Sequence, residues 1–273
     1  VKATDLPRYR GYIFDLDGTI YLGDRLLPGA AELLQALRAA DRRIAFLSNN
    51  PTKTRDQYVE RLAGHGIAAG RDEVINSSMV MVQWLLTHAP QARLFVVGEA
   101  ALIGELTAAG FELSEEAGRI DYVIASFDRT FTYRKLQIAF DAIRAGARLI
   151  ATNPDRYCPV PGGGEPDAAA IIAAIEACTG TVCELNVGKP AAIMAQTVSQ
   201  ALGLPAAECL MVGDRLMTDI AMGEAAGMDT VLVLTGDSQR SDLAASPVQP
   251  TYVIERIDAI LSLGNPDLLD RYS

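Results

Sequence analysis

The chain carries only two histidines, His65 and His88, among its 273 residues. That scarcity excludes a zinc centre built on several imidazoles. It also leaves any Ser-His-Asp catalysis to one of two isolated residues, both in helix-like stretches. Acid–base chemistry therefore has to come mainly from carboxylates. Basic residues are in deficit too: 24 Lys and Arg face 34 Asp and Glu, a formal net charge of −10. Such a surface favours solubility and argues against nucleic acid or a membrane as a partner, so an anionic substrate has to be attracted locally. No apolar run approaches the roughly 20 residues that cross a bilayer, and Val1 to Arg10 lack the hydrophobic stretch of a secretory signal. Cys158, Cys178, Cys183 and Cys209 form neither a CxxC pair nor a disulfide-dense pattern. Reduced thiols in a cytoplasmic protein are the expectation.

What is present is 49% hydrophobic and 21% charged residues, the balance of a folded chain with a real core. Short apolar runs alternate with helical patterns, as in an α/β protein. Gly11 to Leu16, Arg43 to Ser48, Cys209 to Gly213 and Thr230 to Leu234 read as strands. Ala31 to Ala40, Thr54 to His65 and about Thr218 to Ala226 read as helices. These pieces predict a doubly wound, parallel, Rossmann-like core built from residues 1–84 and 186–273. Residues 85–185 repeat the rhythm independently, with strands at Arg93 to Gly98, Asp121 to Ser126 and Arg148 to Thr152. A smaller α/β domain inserted into the first is expected there, with a Pro/Gly-rich loop over 155–166.

Four motifs carry the chemistry. Asp15-Leu-Asp-Gly-Thr ends the first strand, and carboxylates two residues apart in an extended chain can face the same side. Such a pair repels itself unless a cation or shared proton intervenes, and Mg²⁺ is the natural partner for oxygen ligands. The same pentapeptide also fits an ordinary Asp-Gly turn. Ser48-Asn49-Asn50 follows the second strand; a small hydroxyl and exposed backbone N–H groups there can hold a phosphate oxygen, or simply make a turn. Gly188-Lys189-Pro190 precedes a helix, and its lysine can balance phosphate and aspartate charge or lie solvated on the surface. Gly213-Asp214-Arg215-Leu-Met-Thr-Asp219 offers one carboxylate to ligate a metal and another to orient it, or an N-cap. All four fall at the carboxyl ends of predicted parallel strands or at adjacent helix starts, where open α/β sheets bind ligands. Their coincidence is hard to explain by four unrelated turns.

The ordered set Asp-x-Asp-Gly-Thr, Ser-Asn-Asn, Gly-Lys-Pro and Gly-Asp-Arg-x-x-Thr-Asp resembles the haloacid dehalogenase superfamily across nearly the whole chain. About 140 residues separate Ser48 from Lys189, which places the insertion between the second and third motifs. That layout is similar to the class IIA branch, the NagD and 4-nitrophenyl-phosphatase-like enzymes with a C2-type cap domain. Phe131-Thr-Tyr, Ala151-Thr-Asn-Pro-Asp and the Pro161-Gly-Gly-Gly loop also resemble that branch, and Pro166-Asp-Ala-Ala-Ala followed by Ile175-Glu-Ala-Cys-Thr-Gly most resembles its sugar-phosphate phosphatases.

The resemblance implies Asp15 as nucleophile, forming an aspartyl-phosphate, and Asp17 as general acid and base. It implies Mg²⁺ held by the Asp15 and Asp214 carboxylates and the Asp17 backbone carbonyl. Ser48, Asn49 and Lys189 would hold the phosphoryl group, and Asp219 would steady Lys189 or metal-bound water. Specificity residues are expected in the insertion at Asp128 to Tyr133 and Asn153 to Gly164, with Asp128, Tyr133, Asn153, Asp155 and Arg156 as candidates. The expected substrate is a small phosphorylated metabolite, a sugar phosphate first, with glycerol phosphate, phosphoglycolate, pyridoxal phosphate or a nucleotide as alternatives. Caps of this branch often mediate dimers, so a homodimer is expected. A phospho-accepting regulatory module is the rival from another class, and Asp17 argues against it because a carboxylate beside the acyl phosphate should speed hydrolysis.

Overall fold

The computed structural model describes residues 9–160 and 162–263. Pro161 of the Pro-Gly-Gly-Gly loop and most of the stretch read for a signal lie outside the described residues. The contacts divide the chain into two compact units. One takes the residues up to Ser48, Tyr58–Ile75 and those from Lys189 onward; the other takes Asn49–Gln57 and Asn76–Gly188.

In chain order, the first elements are β1 (Gly11–Asp15), β2 (Tyr21–Leu22), β3 (Arg25–Leu26), α1 (Ala30–Ala39), β4 (Arg43–Ser48), α2 (Arg55–Gly64) and β5 (Val74–Asn76). The second unit then supplies α3 (Ser77–His88), β6 (Arg93–Val97), α4 (Ala100–Ala108), β7 (Glu112–Leu113), β8 (Tyr122–Ala125) and α5 (Tyr133–Arg144). It continues with β9 (Arg148–Ala151), β10 (Tyr157–Val160), β11 (Gly163–Pro166), α6 (Ala168–Thr179) and β12 (Leu185–Asn186). The chain closes with α7 (Ala192–Leu202), β13 (Cys209–Gly213), α8 (Ala221–Ala226), β14 (Asp229–Val233) and β15 (Tyr252–Ile254).

The first unit is built on a six-stranded sheet in the order β15-β14-β13-β1-β4-β5. Every residue of β1 and β13 is buried. Both faces of the sheet are covered, so these strands read as continuous apolar runs rather than alternating ones. The parallel register pairs Asp15 with Leu47 and Phe14 with Val212. Asp15, Ser48 and Gly213 therefore finish at one edge of the sheet. Helix α1 packs its buried Leu33, Leu34 and Leu37 into the same core as Tyr12, Phe14 and Phe46. Burying a leucine or phenylalanine contributes about 1.5–3 kcal/mol.

The second unit has a five-stranded sheet in the order β12-β9-β8-β6-β7, whose pairs run parallel. Val97, Val123 and Leu149 pack with Ala139 and Ile143 of α5 and Ile171 and Ile175 of α6. Helix α6 starts at Asp167, whose carboxylate accepts the Ala168 N–H, and stops at Gly180 in the left-handed region.

Two local expectations change. The stretch read as a Pro/Gly-rich loop contains the antiparallel ribbon β10–β11, with Cys158 opposite Glu165. Backbone pairing holds it without the alternating apolar pattern that makes a strand legible. The helix expected from about Thr218 is preceded by a π-helical turn, Leu216–Ile220. There the Ile220 N–H reaches back to the Arg215 carbonyl, and the Asp219 side chain accepts the Arg215 N–H. Those bonds widen the turn. Among the described residues, no helix is long and apolar enough to cross a membrane.

Candidate active site

Strand β1 delivers Asp15 at its last residue, and β13 delivers Asp214 one residue past its end. The π-helical turn brings Asp219 back towards both. One oxygen from each of the three carboxylates lies within 4.8 Å of the others, and all three residues are buried. Lys189 enters the same cluster, its Nζ donating to Asp15 Oδ1 at 2.5 Å and to Asp219 Oδ1 at 2.6 Å. Asp214 Oδ2 accepts the Asp237 N–H at 2.7 Å. The backbone closes tightly around Asp214. Gly18, at φ 95, and Gly236 both lie where an added Cβ would collide with its carboxylate. Only glycine permits that approach.

The charge balance inside this cluster is unfavourable as it stands. Three buried carboxylates face one ammonium. The Asp15 carboxyl is pushed up to about 7, chiefly by burial, with Lys189 pulling it down and Asp219 and Asp17 raising it. Burial, with Asp15 and Asp219 beside it, holds Asp214 well above the usual carboxylate range. Burial pulls the Lys189 ammonium down, yet the Asp15 and Asp219 charges outweigh it and the net displacement is upward. Asp15 Oδ2 and Asp214 Oδ1 are buried without a hydrogen-bond partner. An all-oxygen donor set with two unsatisfied anionic atoms fits a hard divalent cation such as Mg²⁺, which would relieve the repulsion.

Ser48 ends β4 and is buried, with its Oγ 3.0 Å from the hydroxyl of Tyr58 on α2. Asp17 is not one of the three clustered carboxylates. Its Oδ1 lies 4.0 Å from Nη1 of Arg61, also on α2. Thr235, Asp237 and Ser238 join the surroundings: Thr235 Oγ1 donates to the Gly18 carbonyl at 2.6 Å, and the Ser238 N–H donates to the Asp214 carbonyl. The sequence pattern alone missed Tyr58, Arg61, Thr235 and Asp237. A signal for the last two existed, since they follow β14 at the same sheet edge as the other motifs.

The remaining predicted residues belong to the second unit. Asn49 donates from Nδ2 to Asp155 Oδ2 at 3.0 Å, and its carbonyl accepts from Ser77 Oγ. Asn153 donates to Asp155 at 3.2 Å and to Asp167 at 3.0 Å. These five polar residues form one buried network. Asp128 is buried and accepts from Thr130 and from Lys135 Nζ at 2.5 Å. Tyr133, the first residue of α5, is 79% exposed, and Arg156 is exposed as well.

Family models and known proteins match most of the chain. A family model described as haloacid dehalogenase-like hydrolase matches residues 12–112, and a second, of HAD-hydrolase-like proteins, matches 186–260. The chain is 38% identical over 259 residues to the sugar-phosphatase AraL of Bacillus subtilis, covering 95% of this chain and 94% of that one. The structure of 4-nitrophenylphosphatase from Thermotoga maritima superposes with a TM-score of 0.89 at 36% identity, covering 96% of this chain and 98% of the other. NagD of Escherichia coli K-12 superposes with a TM-score of 0.84 at 30% identity, covering 92% and 98%. The chain therefore belongs to the haloacid dehalogenase-like hydrolases, among their NagD-like and nitrophenylphosphatase-like phosphatases.

Proposed function

We propose that this phosphatase hydrolyses small phosphomonoesters, sugar or related metabolite phosphates first among them, through a phosphorylated Asp15. The observation that carries the reading is the buried cluster of Asp15, Lys189, Asp214 and Asp219, with two carboxylate oxygens left without partners. The names of the sugar phosphatases to which the chain is similar support the substrate class.

In this scheme the Asp15 carboxylate attacks phosphorus in line. A bond forms from its oxygen to phosphorus as the ester P–O bond breaks. Asp17 passes a proton to the leaving oxygen, then takes one from the water that displaces phosphate from Asp15. Lys189 and the Ser48 hydroxyl bind the transferring group's oxygens, together with the backbone around Asn49, so charge is met by fixed donors. Asp219 holds Lys189 at the correct depth. Asp15, Asp214 and the Asp17 backbone carbonyl would hold Mg²⁺, which when bound offsets repulsion between a carboxylate nucleophile and a phosphate.

The test is phosphate release from a panel of phosphomonoesters by wild type and Asp15→Asn, with Mg²⁺ or EDTA. Magnesium-dependent turnover that disappears in Asp15→Asn is expected, with sugar phosphates ranking high. Turnover surviving in Asp15→Asn would remove Asp15 as nucleophile. A stable phosphoprotein without turnover would favour the phospho-accepting module.

A further inference from the structure

Resting on the assignment of Asp17 as general acid, we infer that Arg61 is the positioning residue that holds Asp17 and the hairpin after it in register for proton transfer. Asp17 lies in the loop between β1 and β2 rather than in a strand, so it needs external support to hold a fixed place. Part of that support is backbone. Asp17 bridges to Tyr21, and the Gly18 N–H donates to the Tyr21 carbonyl at 2.7 Å. Whatever fixes Tyr21 therefore fixes the backbone that carries Asp17.

Arg61 grips that hairpin at several points. Its guanidinium carbon lies 4.0 Å from the centroid of the fully buried Tyr21 ring. Stacking of a guanidinium on an aromatic face strengthens as the pair is desolvated. Arg61 Nη2 donates to the Gly23 carbonyl at 2.5 Å, in the turn between β2 and β3. The Asp24 carboxylate, 3.9 Å away, is fully exposed and adds little. Nη1 lies 4.0 Å from Asp17 Oδ1, near enough for ionic attraction and beyond hydrogen-bonding range. The Arg61 side chain is only 19% exposed, so this attraction is less screened than a surface pair. His65 also lies near the Tyr21 ring, with centroids 5.7 Å apart. The planar fork suits these tasks together: stacking, donating to a carbonyl and facing a carboxylate.

A merely structural arginine would affect every substrate alike, and a positioning residue for the acid would not. p-Nitrophenolate leaves without needing a proton, whereas an alkoxide does. Because kcat/KM reports steps only up to alcohol release, comparing p-nitrophenyl phosphate with glycerol phosphate isolates the acid's contribution. General acid catalysis contributes about 10²–10⁴-fold, so mispositioning is expected to forfeit about 10- to 100-fold on glycerol phosphate. We expect Asp17→Asn to lose far more on glycerol phosphate than on p-nitrophenyl phosphate. Arg61→Met should show the same split, at least about tenfold between the two esters, and Arg61→Lys should recover part of it. Equal losses on both esters in Arg61→Met, or none, while Asp17→Asn splits them would overturn the inference and leave the role of Asp17 intact. No split in Asp17→Asn would overturn the acid assignment and this inference together. Should Arg61→Met not fold, Arg61→Lys carries the same comparison, with a smaller split expected and equal losses overturning it.

Discussion

The ammonium of Lys189 lies 2.5 Å from the Asp15 carboxylate with both groups buried, and Asp219 shares the same ammonium from the other side at 2.6 Å. Removing one member of a buried ion cluster leaves the others uncompensated, at a cost of about 3–5 kcal/mol. Lys189→Met should therefore lower unfolding free energy by about that amount in urea titrations, besides abolishing turnover. Adding Asp219→Asn to Lys189→Met removes one stranded carboxylate and should recover part of the stability. A double variant as unstable as the sum of the singles would show that the two residues act independently.

Asp214 leads to a sharper expectation, because its contribution should change sign with metal. In EDTA it lies buried beside two other carboxylates, and burial and those neighbours disfavour its charged form and hold its pKa well above normal. Asp214→Asn keeps an acceptor for the Asp237 N–H and removes the charge, so the metal-free variant should melt at or above wild type. Saturating Mg²⁺ should reverse the order. A ligand at about 100 times its Kd stabilises the protein that binds it by about 2.7 kcal/mol. Thermal melts in EDTA and across a Mg²⁺ titration check this, and an equal Mg²⁺ shift in both proteins would remove Asp214 from the metal site.

The core motifs were legible because each sits where an apolar run ends, and the parallel register carries Asp15, Ser48 and Gly213 to one edge. What the pattern could not show was support from elements that look ordinary in sequence. Tyr58 and Arg61 belong to an amphipathic helix, and nothing in the spacing of α2 distinguishes a residue facing Ser48 or Asp17 from one facing solvent. The π-helical turn was hidden for a different reason. Its local bond, the Asp219 carboxylate accepting the Arg215 N–H, has Asp219 held in turn by Lys189, a contact distant in sequence that local propensity does not contain.

The sequence singles out Asp155 as a residue that can contact a substrate, and its neighbours offer a second task beside that one. Its Oδ2 accepts from both Asn49 and Asn153 within the second unit. Asp155→Ala removes the acceptor of the buried Asn49 amide at a cost of about 1–3 kcal/mol, while Asn153 keeps its bond to Asp167. Asp155→Asn keeps an oxygen and should cost less. Denaturation of the two variants, set beside KM for the best ester, separates the roles. A large loss of stability in Asp155→Ala with KM unchanged in Asp155→Asn would mark Asp155 as a support for Asn49. A raised KM in a fully stable Asp155→Asn would return it to the substrate.

The Glu99–Arg129 pair in the second unit predicts a pH dependence whose sign can be worked out. Glu99 precedes α4, where the positive end of the helix favours a carboxylate. Its Oε1 accepts from Arg129 Nε at 2.7 Å and its Oε2 from Nη2 at 2.8 Å. These bonds from Arg129 lower its pKa below the ordinary 4.5 against a smaller opposing effect of burial. A carboxyl whose folded pKa is depressed releases its proton more readily when folded, so it adds stability above its unfolded pKa. That stability is lost as pH falls through the lower, folded value. Arg129 is half exposed, and solvent screening limits the pair to about 1 kcal/mol or less. Glu99→Gln should therefore be less stable than wild type by up to about 1 kcal/mol at pH 7 in low salt, with the gap narrowing in high salt. Below pH 4.5 the gap should close, because wild type loses its carboxylate charge there while the variant has none to lose. Urea titrations at several pH values read the difference directly, and a gap that stays constant from pH 7 into the acid range would mean that packing rather than charge holds the pair.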